Sequence, residues 1–267
     1  LRHQFPFASG AANPPPDRLA SMLFRLISRL PLPLLYALFG FLAWLLRLGR
    51  WRRNLVDDGL ARCLPEKGAT ERKVIARDFY AGLGRLAAEI LHGARVSPEQ
   101  LGERLSFENE AVVRDALGAG RRVMLLAAHH CNWEWLLLEC SRRLGAPLVA
   151  PDMRSRFGAT MVPAREIVAH LIAQRGQVRL LAMLADQSPS AKSEQQTWLP
   201  FFGRDTSFFQ GPGWIGAKLG FEPVFIAMRP AGRGHYVARF VPLVPPGTKL
   251  GPDEILAAYV QALERQI

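Results

Sequence analysis

A chain of 267 residues with 34 Lys and Arg against 23 Asp and Glu, a formal net charge of +11, has room for one sizeable core, and no shift in composition splits it into two halves. Its three cysteines, Cys63, Cys131 and Cys140, cannot all pair and follow no framework spacing, which excludes a disulfide scaffold and points to a reducing compartment. The charge implies an anionic partner; because the arginines are spread along the chain and no nucleic-acid module is legible, anionic lipid or an acidic carrier protein fits better than nucleic acid.

Residues 1–20, rich in Pro, Ala and polar side chains, read as a disordered or extraneous extension and stand outside the fold. Residues 21–53 read as a membrane-anchoring helix. From Leu30 to Leu46 the chain carries no charge, with Arg25 and Arg29 before it and Arg47, Arg50, Arg52 and Arg53 after it. A helix of that length covers roughly 26 Å against a hydrocarbon core of about 30 Å, so it spans with its arginines snorkelling or lies in the interface. The competing reading is a buried core helix. Pro31 and Pro33 favour a start at the beginning of the segment. No small-residue cleavage site follows, and the heavier basic cluster after Leu46 places the next domain on the cytoplasmic side.

Residues 54–267 form the expected catalytic domain. The stretch 54–117 has a helical period, longest in ERKVIARDFYAGLGRLAAEILHGARV, where Glu89 faces the apolar side or a cleft and is assigned an ordinary scaffold role. After Arg122, apolar runs such as VMLLAA, PLVAP, QVRLLAMLADQ, PVFIAMRP and HYVARFVPLV alternate with helical stretches such as WEWLLLECSRRL and PAREIVAHLIAQRG. That order predicts an α/β fold, a mixed, largely parallel sheet flanked by helices and closed by a C-terminal helix in PDEILAAYVQALERQI.

The most informative stretch is VMLLAAHHCNWEWLLL, Val123 to Leu138, an apolar strand that runs into two histidines and then into a helix. His129 stands at the carboxyl end of the strand, where open α/β sheets keep their sites. Asn132 is the expected N-cap, and Glu134 falls in the first turn, where the helix dipole favours an ionised carboxylate. With one ring nitrogen of His129 fixed by Glu134, the other is free to take a proton from a hydroxyl, help typically worth about 10²–10⁴-fold in rate. The bland alternative makes these residues inert strand-end and helix-end polar groups. A thiolate nucleophile at Cys131 is a lesser possibility, and metal spacing is missing, so no metal is expected.

Asp186 and Gln187 follow a second apolar strand as His129 follows the first, so they open on the same side and are expected to organise the site; an Asp-initiated turn is the local alternative. PVFIAMRP repeats the arrangement with Arg229. In TWLPFFGRDTSFFQGPG, Phe201, Phe202, Phe208 and Phe209 with Gly203, Gly211 and Gly213 suggest an apolar wall on a flexible loop, suited to an acyl chain or to core. Arg154 and Arg156 point the same way from an extended strand and could hold a phosphate or a developing oxyanion.

Taken together, the basic apolar leader, NLVDDGLARCLPEKGATERK, HHCNWE, RSRFG, LADQ and LPFFGRDTSFFQGPGWIGAKLG resemble, in that order, the lipid A biosynthesis acyltransferases of Gram-negative bacteria. The resemblance covers nearly everything from Ser21 onward. It implies a fold like that of the glycerolipid acyltransferases. It also implies that His129, oriented by Glu134, deprotonates a hydroxyl of a Kdo-bearing lipid A precursor, which attacks the thioester of an acyl carrier protein. On the same resemblance Arg154 matches an arginine near the catalytic pair and Asp186 the acid of a DQ-type segment, while Phe201, Phe202, Gly203 and Arg229 are expected to contact substrate. The implied setting is the inner membrane with the catalytic domain on its cytoplasmic side, a phosphorylated glycolipid as acceptor, no cofactor and no nucleic acid. The stretch between Leu148 and Arg154 is shorter than the family usually carries, and the chain stops at Ile267 ahead of a Trp- and Arg-rich tail, so the acceptor is less defined than the family. Alternatives are an acyltransferase for another anionic glycolipid or an amino lipid, or a non-catalytic basic protein peripheral to a membrane.

Overall fold

The computed structural model describes residues 18–151, 157–189, 195–245 and 247–267. Five helices come first, α1 (Arg18–Ile27), α2 (Leu32–Leu48), α3 (Arg53–Cys63), α4 (Ala69–Gly93) and α5 (Pro98–Arg104). They are followed by β1 (Leu105–Phe107), α6 (Ala111–Gly118), β2 (Arg122–Ala127), α7 (Trp133–Arg143), β3 (Leu148–Pro151), β4 (Thr160–Val162), α8 (Ile167–Ala173) and β5 (Leu180–Leu184). The chain closes with β6 (Gln196–Phe201), β7 (Arg204–Phe209), α9 (Gly211–Leu219), β8 (Phe221–Gly232), β9 (His235–Pro242) and α10 (Pro252–Gln266).

Seven strands form one sheet in the order β1-β9-β8-β2-β5-β3-β4. Every neighbouring pair is parallel except β8 and β9, which agrees with the mixed, largely parallel sheet expected from the sequence. β2 lies at its centre and is apolar on both faces, as a strand covered on both sides must be. Its alternation sends Val123, Leu125 and Ala127 into a core with Leu136 and Cys140 of α7, and Met124 and Leu126 into a core with Ile215 of α9 and Leu256 of α10.

Three elements depart from the sequence reading. β1 lies inside the stretch read as helical; three residues are too few to display a period of two, and their pairing with β9 decides the conformation. The TWLPFFGRDTSFF segment, read as a flexible loop, is the antiparallel hairpin β6–β7, turned at Phe202 and Gly203 with φ of 49° and 69°. Positive φ at both central residues is what the tight hairpin turn needs, and Pro200 within the run had hidden the strand.

The third departure is the leader. Among the described residues no single helix is long and apolar enough to cross a membrane; α2 and α3 pass that test only as a pair bent by 84°. Leu32, Leu35, Tyr36 and Ala43 of α2 are buried, while Leu34, Leu38, Phe41, Trp44 and Leu48 are exposed. α2 is thus neither a free-standing span nor a fully buried core helix. Its close seat on α4 requires Gly84, where a Cβ would lie 2.7 Å from the Phe39 carbonyl oxygen and 2.9 Å from the Ala43 Cβ.

Candidate active site

The parallel register of β2 and β5 pairs Ala127 with Leu184, so the next two residues on each chain bring His129 opposite Asp186. His129 Nδ1 lies 2.7 Å from Asp186 Oδ1, and the His129 backbone N–H donates to Oδ2 at 2.8 Å. An ionised carboxylate only accepts, so this network assigns the ring proton to Nδ1 and leaves a lone pair on Nε2. Gln187 Nε2 is 3.4 Å from that nitrogen, and the edge of the Trp133 ring approaches the imidazole with centroids 4.9 Å apart. Burial pushes the Asp186 carboxyl up, but the two bonds from His129 and its charge outweigh it and hold the carboxyl below the usual range. Burial lowers the neighbouring His130, partly opposed by Asp186.

The spacing argument held one ring nitrogen of His129 with Glu134; the carboxylate on Nδ1 is Asp186. The reason is the register: a sheet joins residues 57 apart in sequence, which local spacing does not reveal. Glu134 does stand in the first turn of α7, half-buried, as the helix start at Asn132 requires. Asn132 is the N-cap, its Oδ1 accepting from the Trp135 N–H at 3.0 Å.

Asn132 also reaches backward. Its Nδ2 donates to Glu89 Oε2 at 2.9 Å, and the fully buried Glu89 carboxylate further accepts from Tyr36 Oη at 2.8 Å and Tyr236 Oη at 2.7 Å. Four elements therefore meet on one side chain: α2, α4, the turn before α7 and β9. Burial raises both tyrosine hydroxyls well above their ordinary value, and the Glu89 charge adds to it. The ordinary scaffold role assigned to Glu89 understates this. A carboxylate on the apolar face of a long helix was the visible signal, but its three donors come from distant segments.

Cys131 takes a left-handed conformation, φ 54°, in the turn between His130 and Asn132, with its Sγ 3.6 Å from the Met228 carbonyl oxygen. Burial, with the Glu89 charge behind it, pushes the thiol up to about 12, so it stays protonated at neutral pH and a thiolate nucleophile loses its basis.

The remaining candidates are placed as follows. Phe201, Phe202 and Gly203 form the β6–β7 turn; the Phe202 N–H donates to Glu264 of α10 at 2.7 Å, and the Phe201 ring packs edge-on against Phe208 at 5.7 Å. These contacts pin the hairpin to the body. Arg229 is not at a strand end as expected, because β8 continues to Gly232; its guanidinium pairs with Glu108 at 2.8 Å. Arg154 and Arg156 lie outside the described residues.

A search of curated proteins finds no match. The family model described as bacterial lipid A biosynthesis acyltransferase matches residues 17–142, a stretch that includes α1 to α6, His129, Asn132 and Glu134 and ends within α7. That match contains the strand, the histidine and the helix start of the site just described, so over residues 17–142 this chain is similar to the bacterial lipid A biosynthesis acyltransferase family.

Proposed function

We propose that the chain transfers a fatty acyl group from an acyl carrier protein thioester to a hydroxyl of a Kdo-bearing lipid A precursor, at the cytoplasmic face of the inner membrane. The observation that carries the reading is the His129–Asp186 contact at adjoining parallel strand ends, with Nε2 left as the basic nitrogen on an exposed ring. His129 Nε2 takes the proton of the acceptor hydroxyl as the oxygen attacks the thioester carbonyl. The tetrahedral intermediate collapses to the new ester, and the departing thiolate of the carrier recovers the proton from the imidazolium. Asp186 fixes the tautomer and favours the imidazolium, while Glu134 adds a second negative charge five residues along the same turn. No covalent acyl-enzyme is required.

The setting follows from the surface. Exposed apolar side chains on α2, with Arg47 in its last turn and Arg50 and Arg52 beyond, suit a helix lying in the membrane interface. An excess of positive charge suits both an acidic carrier and a phosphorylated acceptor. The test is transfer of radiolabelled acyl groups from the carrier to the Kdo-bearing precursor, in detergent or vesicles, by the natural chain. Labelled ester in the glycolipid fraction is expected. Labelling only of another anionic glycolipid would move the acceptor and keep the chemistry, and no labelling of any glycolipid would overturn the proposal.

A further inference from the structure

At the outer edge of the α2–α4 pair, a cavity of about 810 Å³ opens between α2, α3 and α4. Arg47, Arg50, Arg53, Arg72 and Lys73 line it, against two acids, Asp57 and Asp58. One acid is already engaged, since Arg53 Nε donates to Asp57 at 3.1 Å. A neighbouring cavity of about 630 Å³ shares Trp44, Arg47 and Tyr80 with the first and adds Arg85, Arg233 and Arg77, the last paired with Asp78 at 2.8 Å. Tyr80 Oη donates to the Trp51 carbonyl at 2.6 Å and ties α4 to the turn between α2 and α3, the turn in which Arg50 and Arg52 take φ of 57° and 52°.

What surrounds this basic cavity narrows its occupant. Trp44 and Leu48 of α2 line it and are exposed, Leu48 at 64%, and Leu45 of α2, Trp51 in the turn and Leu55 of α3 are exposed on the same elements, Leu55 at 65%. A hollow with five cationic side chains against two acids, bordered by exposed tryptophan and leucine, has the chemistry of one kind of ligand: a phosphate attached to hydrocarbon chains. A free phosphate has no use for the apolar rim, and the convex surface of an acidic protein would leave the rim exposed.

We propose that this cavity is a binding site for the phosphate of an anionic glycerophospholipid resident in the membrane, distinct from the acceptor at His129. The headgroup phosphate sits among Arg47, Arg50, Arg72 and Lys73, and the acyl chains run beside the exposed face of α2. The proposal shares with the proposed function only the placement of α2 at a bilayer, and no step of acyl transfer enters it.

The test is sedimentation of the full chain with vesicles of phosphatidylcholine alone and of phosphatidylcholine containing phosphatidylglycerol. Two variants that remove the same charge are compared, Arg47→Gln/Arg50→Gln/Lys73→Gln in the cavity and Arg175→Gln/Lys218→Gln/Arg239→Gln elsewhere on the surface. The cavity variant is expected to lose roughly tenfold or more of its preference for the anionic vesicles, and the other variant less than about threefold. A third variant, Arg47→Lys/Arg50→Lys/Lys73→Arg, keeps the charge and should keep the preference, which separates loss of the site from loss of fold. Equal losses in the two neutralised variants would reduce the effect to spread charge and overturn the site. So would thermal stabilisation of the natural chain by inorganic phosphate as large as that by anionic vesicles, or cavity substitutions that weaken carrier-protein binding while leaving vesicle preference intact. Retained vesicle preference without acyl transfer would count against the proposed function alone.

Discussion

His129 and Asp186 stand 57 positions apart and are joined by a 2.7 Å contact, because β2 and β5 run parallel in a register that carries both residues just past the sheet. The consequence is a specific tautomer. Nitrogen chemical shifts of the His129 ring in its neutral form are expected to show the proton on Nδ1 and an unprotonated Nε2. Asp186→Asn should shift the populations, since an amide can also donate to Nδ1 and favour the other tautomer. A proton resident on Nε2 in the natural chain would contradict the assigned base.

Asp186 also links the site to acid stability. A carboxyl held below its ordinary value contributes stability that is present above the unfolded value, about 3.9, and is lost as pH falls through the folded value. Denaturant unfolding should therefore show the natural chain more stable than Asp186→Asn at pH 7, with the gap closing below about pH 4. A gap that widens toward acid pH would contradict the ionised pair.

The buried Glu89 makes the opposite prediction at alkaline pH. The Tyr36 and Tyr236 hydroxyls are raised, so their stability is fully present below the unfolded value of about 10 and is lost as pH rises beyond it. Tyr36→Phe and Tyr236→Phe should each destabilise by about 1–2 kcal/mol, and Glu89→Ala by about 3 kcal/mol or more because three donors lose their acceptor. The double Phe variant should show a flatter decline between about pH 9 and 11 than the natural chain. Chemical denaturation across that range checks both points, and an unchanged alkaline limb would mean that the tyrosines do not hold the carboxylate.

Cys131 is expected to be dispensable for chemistry. With its thiol pushed up to about 12, Cys131→Ser should retain activity within a few-fold, and alkylation at pH 8 should be far slower than for an ordinary thiol of about 8.5. Loss of activity by orders of magnitude on this substitution, with folding intact, would return the thiolate to the mechanism.

The central sheet was legible in the sequence wherever apolar runs exceeded four or five residues and ended in polar residues, as at Val123–His129 and Leu180–Gln187. The N-cap at Asn132 and the helix start at Trp133 were legible for the same local reason, a capping residue ahead of a periodic run. The contact of His129 Nδ1 with Asp186 was not, because sheet register brings together residues 57 apart in sequence. Glu89 was visible as a carboxylate in an apolar pattern, yet its partners, Tyr36, Asn132 and Tyr236, come from three other elements and carry no spacing signal. The β6–β7 hairpin was missed because Pro200 interrupts its strand pattern and Phe202 occupies a turn position that Asn or Asp usually advertises.

The most direct measurement compares acyl transfer from carrier protein to lipid by the natural chain and by His129→Ala, Asp186→Asn and Glu134→Ala, at matched folding. The account predicts that His129→Ala and Asp186→Asn each lower kcat by about 10²–10⁴-fold, and that the double variant is little worse than the more severe single one. Transfer undiminished in His129→Ala or Asp186→Asn would contradict the mechanism at its base.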